Sequence, residues 1–350
     1  MLSVLLFPVS WLYGGLMRLR NFLYDKGWKK GHQFPVAVIC IGNLNVGGSG
    51  KTPMVEYLIR LLAERYQVAV LSRGYGRKTR GFRLAAAGED PSSIGDEPYQ
   101  CYQKFSSQVT VAVCESRAEG IQQLLQRAPE TTLVLLDDAF QHRAVRADFS
   151  LLLTDITKPF FADHVLPAGR LREPREGSAR ADAIVVTKCA AWTPEMAKKI
   201  IDQVVRYSGP RPVFFAGIQY QQPVSFGGGH RPAKKLLLVT GIANSAPLVD
   251  YLTQHFEIAA HRQFEDHHEY SLKELTDIQA RARALDASIM TTEKDRVKID
   301  APAWLGELDR KLWFYLPIET KILDSGAEFD TLVLAKISAV QNHLFKNHSK

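Results

Sequence analysis

From Pro35 onward, apolar residues come in short, β-branched runs separated by segments whose apolar positions repeat at helical spacing. Runs at 35–42, 67–72, 109–114, 132–137, 149–154 and 183–187 predict strands, and 51–65, 97–105 and 116–127 predict helices between them. Strands apolar on both faces, alternating with helices, indicate a mostly parallel sheet covered on both sides. Helix 194–207 and strand 212–217 then lead to Gly227-Gly228-Gly229, a soft stretch expected at a domain boundary. A second set follows, with strand 235–240, helix 246–255, helix 271–284 and strand 287–292. Strand 311–317 is expected to cross back, and 328–346 to form an amphipathic terminal helix.

The first thirty residues differ from the rest. MLSVLLFPVSWLYGGLM is apolar but only 17 residues long, broken by Pro8 and Gly14-Gly15. A spanning helix needs ~20 residues, and the positive start and cleavage site of a signal peptide are missing. Leu16, Leu19, Phe22 and Leu23 then fall at helical spacing beside Arg18, Arg20, Lys26, Lys29 and Lys30. Apolar residues next to a basic cluster suit a helix lying in the interface of an anionic membrane; a helix packed on its own domain and ending at Gly27 is the alternative.

Composition is that of a soluble α/β protein, 46% hydrophobic and 23% charged, with room for one large or two medium domains in 350 residues. The net charge of +7 favours anionic partners, but it is dispersed and offers no arm for nucleic acid. Cys40, Cys101, Cys114 and Cys189 show no C-x-x-C spacing and read as core residues in a reducing compartment.

Candidate chemistry begins at residues 36–58. A buried-type strand, the turn Asn45-Val46-Gly47-Gly48-Ser49-Gly50, then Lys51-Thr52-Pro53 opening a helix form a phosphate-binding loop. Its glycines let backbone N–H groups surround a phosphate, Lys51 reaches the outer phosphates and Thr52 holds Mg²⁺. Asn45 stands where the strict pattern has glycine. The run Leu133-Val134-Leu135-Leu136 ending in Asp137-Asp138 is a Walker B arrangement, whose carboxylate holds the nucleotide's Mg²⁺. The other strand ends carry Ser72-Arg73, Glu115-Ser116-Arg117 and Thr187-Lys188-Cys189-Ala190. Guanine readers have Asp in place of Ala190, which leaves ATP as the nucleotide. Asp96-Glu97 opens helix 97–105, where an N-cap role is the plainer reading. Arg170, Arg172 and Arg175 sit in a long polar connection, free to clamp phosphate or simply to be solvated. Asp266-His267-His268 reads, on its own, as surface loop.

The segments GNLNVGGSGKTP, LSRGYGR, GDEP, ESR, LDDAFQHR, PAGRLREP, TGIA, FEDHHEYS and TTEKDRVK occur in one order along nearly the whole chain. With the apolar-then-basic N-terminus, this order resembles the tetraacyldisaccharide 4'-kinase family, the lipid A 4'-kinases of Gram-negative bacteria. The resemblance implies ATP- and Mg²⁺-dependent phosphorylation of the 4'-hydroxyl of tetraacyldisaccharide 1-phosphate, giving lipid IVA. The site would be the cytoplasmic face of the inner membrane, reached through residues 1–30, with no nucleic acid and no obligate protein partner. The implied fold is a P-loop-type α/β/α sandwich joined by a two-stranded linker to a smaller α/β/α domain. On this chain those are 31–220, with 321–350 packing back, and 230–318. Asp96 matches the family's catalytic base and His267 its partner from the second domain, with His268 adjacent and not excluded. Lys51 serves the phosphates; Thr52, Glu97 and Asp138, with Asp137 beside them, are the implied metal ligands. Ser72, Arg73, Arg117, Gln141, His142 and Arg170 are implied contacts to sugar, phosphate or nucleotide. Ala139 departs from the family's usual glycine. Rival readings are a P-loop switch or metallochaperone, and a soluble P-loop kinase of a polar metabolite.

Overall fold

A computed structural model describes residues 6–300, 304 and 306–348. Residues 1–5 of the expected N-terminal segment and 349–350 of the terminal one lie outside the described residues. The elements in chain order are α1 (Phe7–Asp25), β1 (Ala37–Asn43), α2 (Lys51–Leu62), β2 (Val68–Ser72), β3 (Arg83–Leu84), α3 (Pro91–Ile94), α4 (Asp96–Phe105), β4 (Val109–Val113), α5 (Arg117–Arg127), β5 (Leu133–Leu136) and β6 (Phe149–Asp155). They continue with β7 (Ala183–Thr187), α6 (Pro194–Ser208), β8 (Val213–Tyr220), β9 (Val224–Ser225), β10 (Lys235–Thr240), α7 (Ala246–Leu252), β11 (Glu257–Gln263), α8 (Leu272–Ala284), β12 (Ser288–Thr292), α9 (Glu293–Ile299), β13 (Trp313–Leu316), β14 (Ile318–Ile322) and α10 (Gly326–His348).

Nine strands form the first sheet in the order β14-β8-β7-β6-β1-β5-β2-β4-β3, antiparallel only at its two edges. β1 is buried along its whole length, and its residues alternate between two apolar layers. Ile39 and Ile41 face Met54, Leu58 and Leu62 of α2 and Phe329, Val333 and Ile337 of α10. Val38 and Cys40 face Ile121 and Leu124 of α5 and Phe160. Each fully buried aliphatic side chain stabilises by ~1.5–3 kcal/mol, so both layers fix the register of β1 and with it the turn that follows. That turn lies where β5 and β6 flank β1, beyond the carboxyl ends of the strands, the usual ligand crevice of such sheets.

The second sheet has the order β11-β10-β12-β13-β9 and its own core around Trp313, Ile278 and Ile289. The strand expected at 311–317 divides at Pro317, which has no N–H for a ladder. β13 stays in the second sheet, while β14 pairs antiparallel with β8 and returns the chain to the first. β11 and α9 were not evident in the apolar pattern, because EIAAHRQ lacks alternation and EKDRVKI is too short and charged. A buried ion triad ties the two units: Lys104 Nζ of α4 lies 2.6 Å from Glu56 Oε2 of α2 and 2.8 Å from Glu293 Oε1 of α9.

α1 docks by its polar and small residues. Ser10 Oγ accepts from Ala168 N at 2.8 Å, Tyr13 Oη donates to Arg172 O at 2.9 Å, and Asn21 Nδ2 donates to Glu173 Oε2 at 2.9 Å. Its apolar side chains point away: Trp11 is 76% and Leu12 69% exposed, with Leu16 and Leu19 beside them. This inverts the usual arrangement of a surface helix, whose apolar stripe faces the core. Among the described residues, no helix is long and apolar enough to cross a membrane.

Candidate active site

The turn between β1 and α2 is held from both sides. Asn45, in place of the usual glycine, is buried and sends its amide to Asp163 Oδ2 at 3.2 Å. Val46 N donates to Arg170 O at 2.8 Å. On the other side, Thr187 Oγ1 donates to Ser49 O at 2.8 Å, and Lys188 Nζ to Gly48 O at 2.5 Å. Asn45 and Val46 therefore anchor the loop, leaving Gly47, Gly48, Ser49 and Gly50 as its concave part. A side chain on Gly47 or Gly48 would meet nothing within 4 Å, so the concavity is open. Gly50, in left-handed backbone at φ 79°, precedes Lys51, and no side chain caps α2. Uncapped first-turn N–H groups at a helix N-terminus suit the phosphates of a nucleotide, and Pro53 in that turn forfeits no needed donor. Lys51 Nζ stands 3.5 Å from Asn43 Oδ1 and 3.7 Å from Asp138 Oδ1.

The two aspartates after β5 diverge because Asp138 takes left-handed backbone, φ 47°. Asp138 turns to cations, accepting from Arg172 Nη1 at 2.9 and 3.0 Å. Burial pushes its carboxyl up, but Lys51 and Arg172 outweigh this and hold it below the usual range. Asp137 turns into a small buried cavity that Thr52, Ser72 and Glu97 also line. Burial, then the charges of Glu97 and Asp138, push its carboxyl well above the usual range. Ser72 Oγ donates to its Oδ2 at 3.2 Å, while its Oδ1 is buried with no partner. A hydroxyl and two crowded carboxylates, one oxygen unsatisfied, form a donor set that fits a hard divalent cation. Thr52 and Glu97 line this cavity with Asp137, whereas Asp138, the aspartate placed first as metal ligand from sequence, is engaged by Lys51 and Arg172.

Across this cleft, α4 begins at Asp96 after Gly95, whose φ of 95° and 2.9 Å approach to Tyr75 O exclude a side chain. Asp96 Oδ2 lies 3.2 Å from His267 Nδ1, a contact between the two units. His267 itself has left-handed backbone at φ 64°. His268 turns the other way, its Nε2 3.2 Å from Glu274 Oε1 and its ring stacked on Phe264 at 4.3 Å. Of the two histidines, His267 is the one that reaches Asp96.

The remaining expected contacts separate into two groups. Arg73 is exposed on the loop after β2, and His142 is half-buried nearby. Burial, then the positive charges of Arg117 and Arg73, push the His142 imidazole down to about 4, so this corner carries a potential that favours anions. Gln141 Nε2 donates to Asn43 O at 2.9 Å and Glu173 Oε1 at 3.0 Å, and Arg170 Nε donates to Asp163 Oδ2 at 2.9 Å. Arg117 is a correction to the sequence reading. It is 2% exposed, donating to Cys114 O at 2.7 Å and Asp137 O at 2.8 Å, so its guanidinium is engaged inside the fold and not at the surface of the site. The E-S-R pattern suggests a strand-end cation, but the helix start folds this side chain back under β5. Arg117→Met is expected to destabilise the protein by ~1–3 kcal/mol by orphaning two buried carbonyls, read as a lowered melting temperature. A KM effect at unchanged stability would contradict this.

A family model described as Tetraacyldisaccharide-1-P 4'-kinase, LpxK, matches residues 2–338. The chain belongs to the tetraacyldisaccharide 4'-kinase family. The tetraacyldisaccharide 4'-kinase of Cytophaga hutchinsonii is 45% identical over 350 residues, covering 98% of each chain. That of Bacteroides thetaiotaomicron is 43% identical over 339 residues, 91% of this chain and 89% of the other. A crystal structure of LpxK from Aquifex aeolicus, described as an "apo" form in complex with ATP, is 28% identical with a TM-score of 0.75. It spans 96% of this chain and 100% of that one. The chain is therefore a kinase of this family with the P-loop fold.

Two lysines of α9 that the motifs did not single out face the Asp96–His267 pair of this tetraacyldisaccharide 4'-kinase. Lys294 Nζ lies 3.1 Å from His267 Nε2. Lys298 Nζ is buried without a hydrogen-bond partner, 3.7 Å from Asp96 Oδ2 and 3.9 Å from Asp295 Oδ1. Their i, i+4 spacing inside TTEKDRVK is the one signal that could have grouped them, and it reads equally as a solvated helix face.

Proposed function

We propose that this kinase transfers the γ-phosphoryl group of ATP to the 4'-hydroxyl of tetraacyldisaccharide 1-phosphate at the cytoplasmic face of the inner membrane, with Asp96 accepting the hydroxyl proton. The observation that carries the assignment is the Asp96–His267 hydrogen bond of 3.2 Å, made between the two units beside Glu97. His267 occupies one carboxylate oxygen of Asp96 and leaves the other for the sugar hydroxyl. As the 4'-oxygen bonds to the γ-phosphorus, the bond to the β,γ-bridging oxygen breaks, ADP leaves with the electron pair, and the proton passes to Asp96. The loop Gly47–Gly50 and the α2 N-terminus hold the β- and γ-phosphates, and Lys51 offsets the charge that develops between them. Thr52, Glu97 and Asp137 would hold Mg²⁺, which supplies charge neutralisation at the phosphates. Arg73 and His142 line the anion-favouring corner where the substrate's own phosphate or sugar is received. Ser72, Gln141 and Arg170 act from behind, through Asp137, Glu173 and Asp163. The outward apolar face of α1 brings the enzyme to a substrate whose acyl chains stay in the bilayer.

The test is transfer of label from γ-labelled ATP to lipid A disaccharide 1-phosphate in mixed micelles, comparing the enzyme with Asp96→Ala and His267→Ala. Labelled lipid from the unaltered chain, with a loss of about 10²-fold or more in both variants, is the expected result. ATP hydrolysis without labelled lipid would overturn the assignment.

A further inference from the structure

We infer that Lys294 fixes, from the Nε2 side, the tautomer of His267 in which Nδ1–H, not a lone pair, faces Asp96. Lys294 Nζ lies 3.1 Å from His267 Nε2 and 2.8 Å from Asp266 Oδ1. An ammonium has three donors and no acceptor, so a nitrogen in hydrogen bond with it must present a lone pair. The ring proton then resides on the other nitrogen, Nδ1, which points at Asp96 Oδ2 from 3.2 Å. The lysine is itself fixed in place. It sits in the first turn of α9, which Thr292 caps by accepting from Asp295 N at 3.0 Å, and Asp266 holds its head. The histidine is fixed too, by its left-handed backbone and by the Tyr75 ring 5.7 Å away.

This tautomer has a chemical consequence. With hydrogen already on Nδ1, His267 has no lone pair facing Asp96 and cannot take a proton from it. Its work is to orient the carboxylate, which makes Lys294 a positioning residue one bond further out. The opposite tautomer would set a lone pair against the carboxylate and release Asp96 to other rotamers. The inference rests on the reading of Asp96 as proton acceptor only for its kinetic part; the tautomer stands on geometry alone.

The experiment is a two-bond ¹⁵N–¹H correlation on the full chain, selectively ¹⁵N-labelled at histidine, in detergent micelles. The His267 pattern is identified by its loss in His267→Gln. Nδ1–H is expected in the unaltered enzyme and in Lys294→Arg, whose side chain also only donates. Because the Asp96 carboxylate also accepts from Nδ1–H, the part of Lys294 is read where that carboxylate is gone: Asp96→Asn, whose amide can meet either tautomer, is expected to keep Nδ1–H, and in Asp96→Asn/Lys294→Met the Nε2–H form is expected to exceed half the population. Lys294→Met alone is expected to lower kcat about tenfold at unchanged KM for ATP. An Nε2–H ring in the unaltered enzyme or in Asp96→Asn, or an unmoved Nδ1–H ring in Asp96→Asn/Lys294→Met, overturns the inference. Retained transfer by Asp96→Asn, with the tautomer still following Lys294, would sink the proton-acceptor reading and leave the role of Lys294 standing.

Discussion

Asp96→Asn is expected to lower kcat for lipid phosphorylation by about 10²–10⁴-fold while the KM for ATP stays within about twofold. The amide has the carboxylate's shape, and its oxygen can still accept from His267 Nδ1, so the contact between the two units survives. What is lost is a group able to take the hydroxyl proton. As a negative charge at the start of α4, Asp96 contributes only ~0.3–1 kcal/mol, and Asp295 still faces the buried Lys298 ammonium at 3.9 Å when the Asp96 charge is gone. The phosphate loop lies between β1 and α2, across the cleft from Asp96, which is why nucleotide affinity is spared. Single-turnover transfer, paired with a melting curve, separates the outcomes. A variant that melts normally and transfers within about threefold of the unaltered rate would show that no proton passes to this residue.

The second large effect concerns α1. Changing Trp11, Leu12, Leu16 and Leu19 together to Ser is expected to lower binding to lipid vesicles by at least about 10³-fold. A fully buried side chain of this kind is worth ~1.5–3 kcal/mol, and even ~1 kcal/mol each at an interface sums to roughly three decades. None of the four belongs to the docked face built from Ser10, Tyr13 and Asn21, so the helix stays in place and ATP binding is preserved. Transfer to lipid should fall with vesicle binding. Cosedimentation with vesicles at high salt isolates the apolar part, since the attraction of Lys26, Lys29 and Lys30 to anionic headgroups is screened. Unchanged cosedimentation would mean that the exposed apolar face has another use.

The phosphate loop and the strand-end aspartates could be read from sequence because their chemistry is local: Lys51 and Thr52 follow the glycines directly, and Asp137 closes its own strand. The apolar runs likewise carried the interior strands of the first sheet, while the edge strands β3 and β14, only partly buried, left no such run. The inward turn of Arg117 is not legible in the sequence, which gives a side chain's position and not its direction; a helix start can fold it either way. Asp137 and Asp138 could not be told apart, since the left-handed backbone that turns them in different directions leaves no mark in the letters. Lys294 and Lys298 were passed over for a different reason. Their partners, His267 and Asp96, lie on other elements, and a lone lysine in a charged helix carries no pattern of its own.

One rung of the fold has a wider meaning. Where β8 leaves the first sheet and β14 returns to it, Gln221 N donates to Pro317 O at 2.9 Å, so the chain departs and re-enters at neighbouring points. Topologically the intervening residues are an insertion into a β-hairpin, the kind of surface site where chains accept extra domains. None of the nine strands of the first sheet lies between those two residues. A gene shortened there to a tight turn would encode Lys51, Thr52, Asp96 and Asp137 and discard His267, Lys294 and Lys298. The phosphate cradle and the side chains that face Asp96 from the second unit are thus joined through a single hairpin, at which the chain can be cut between them.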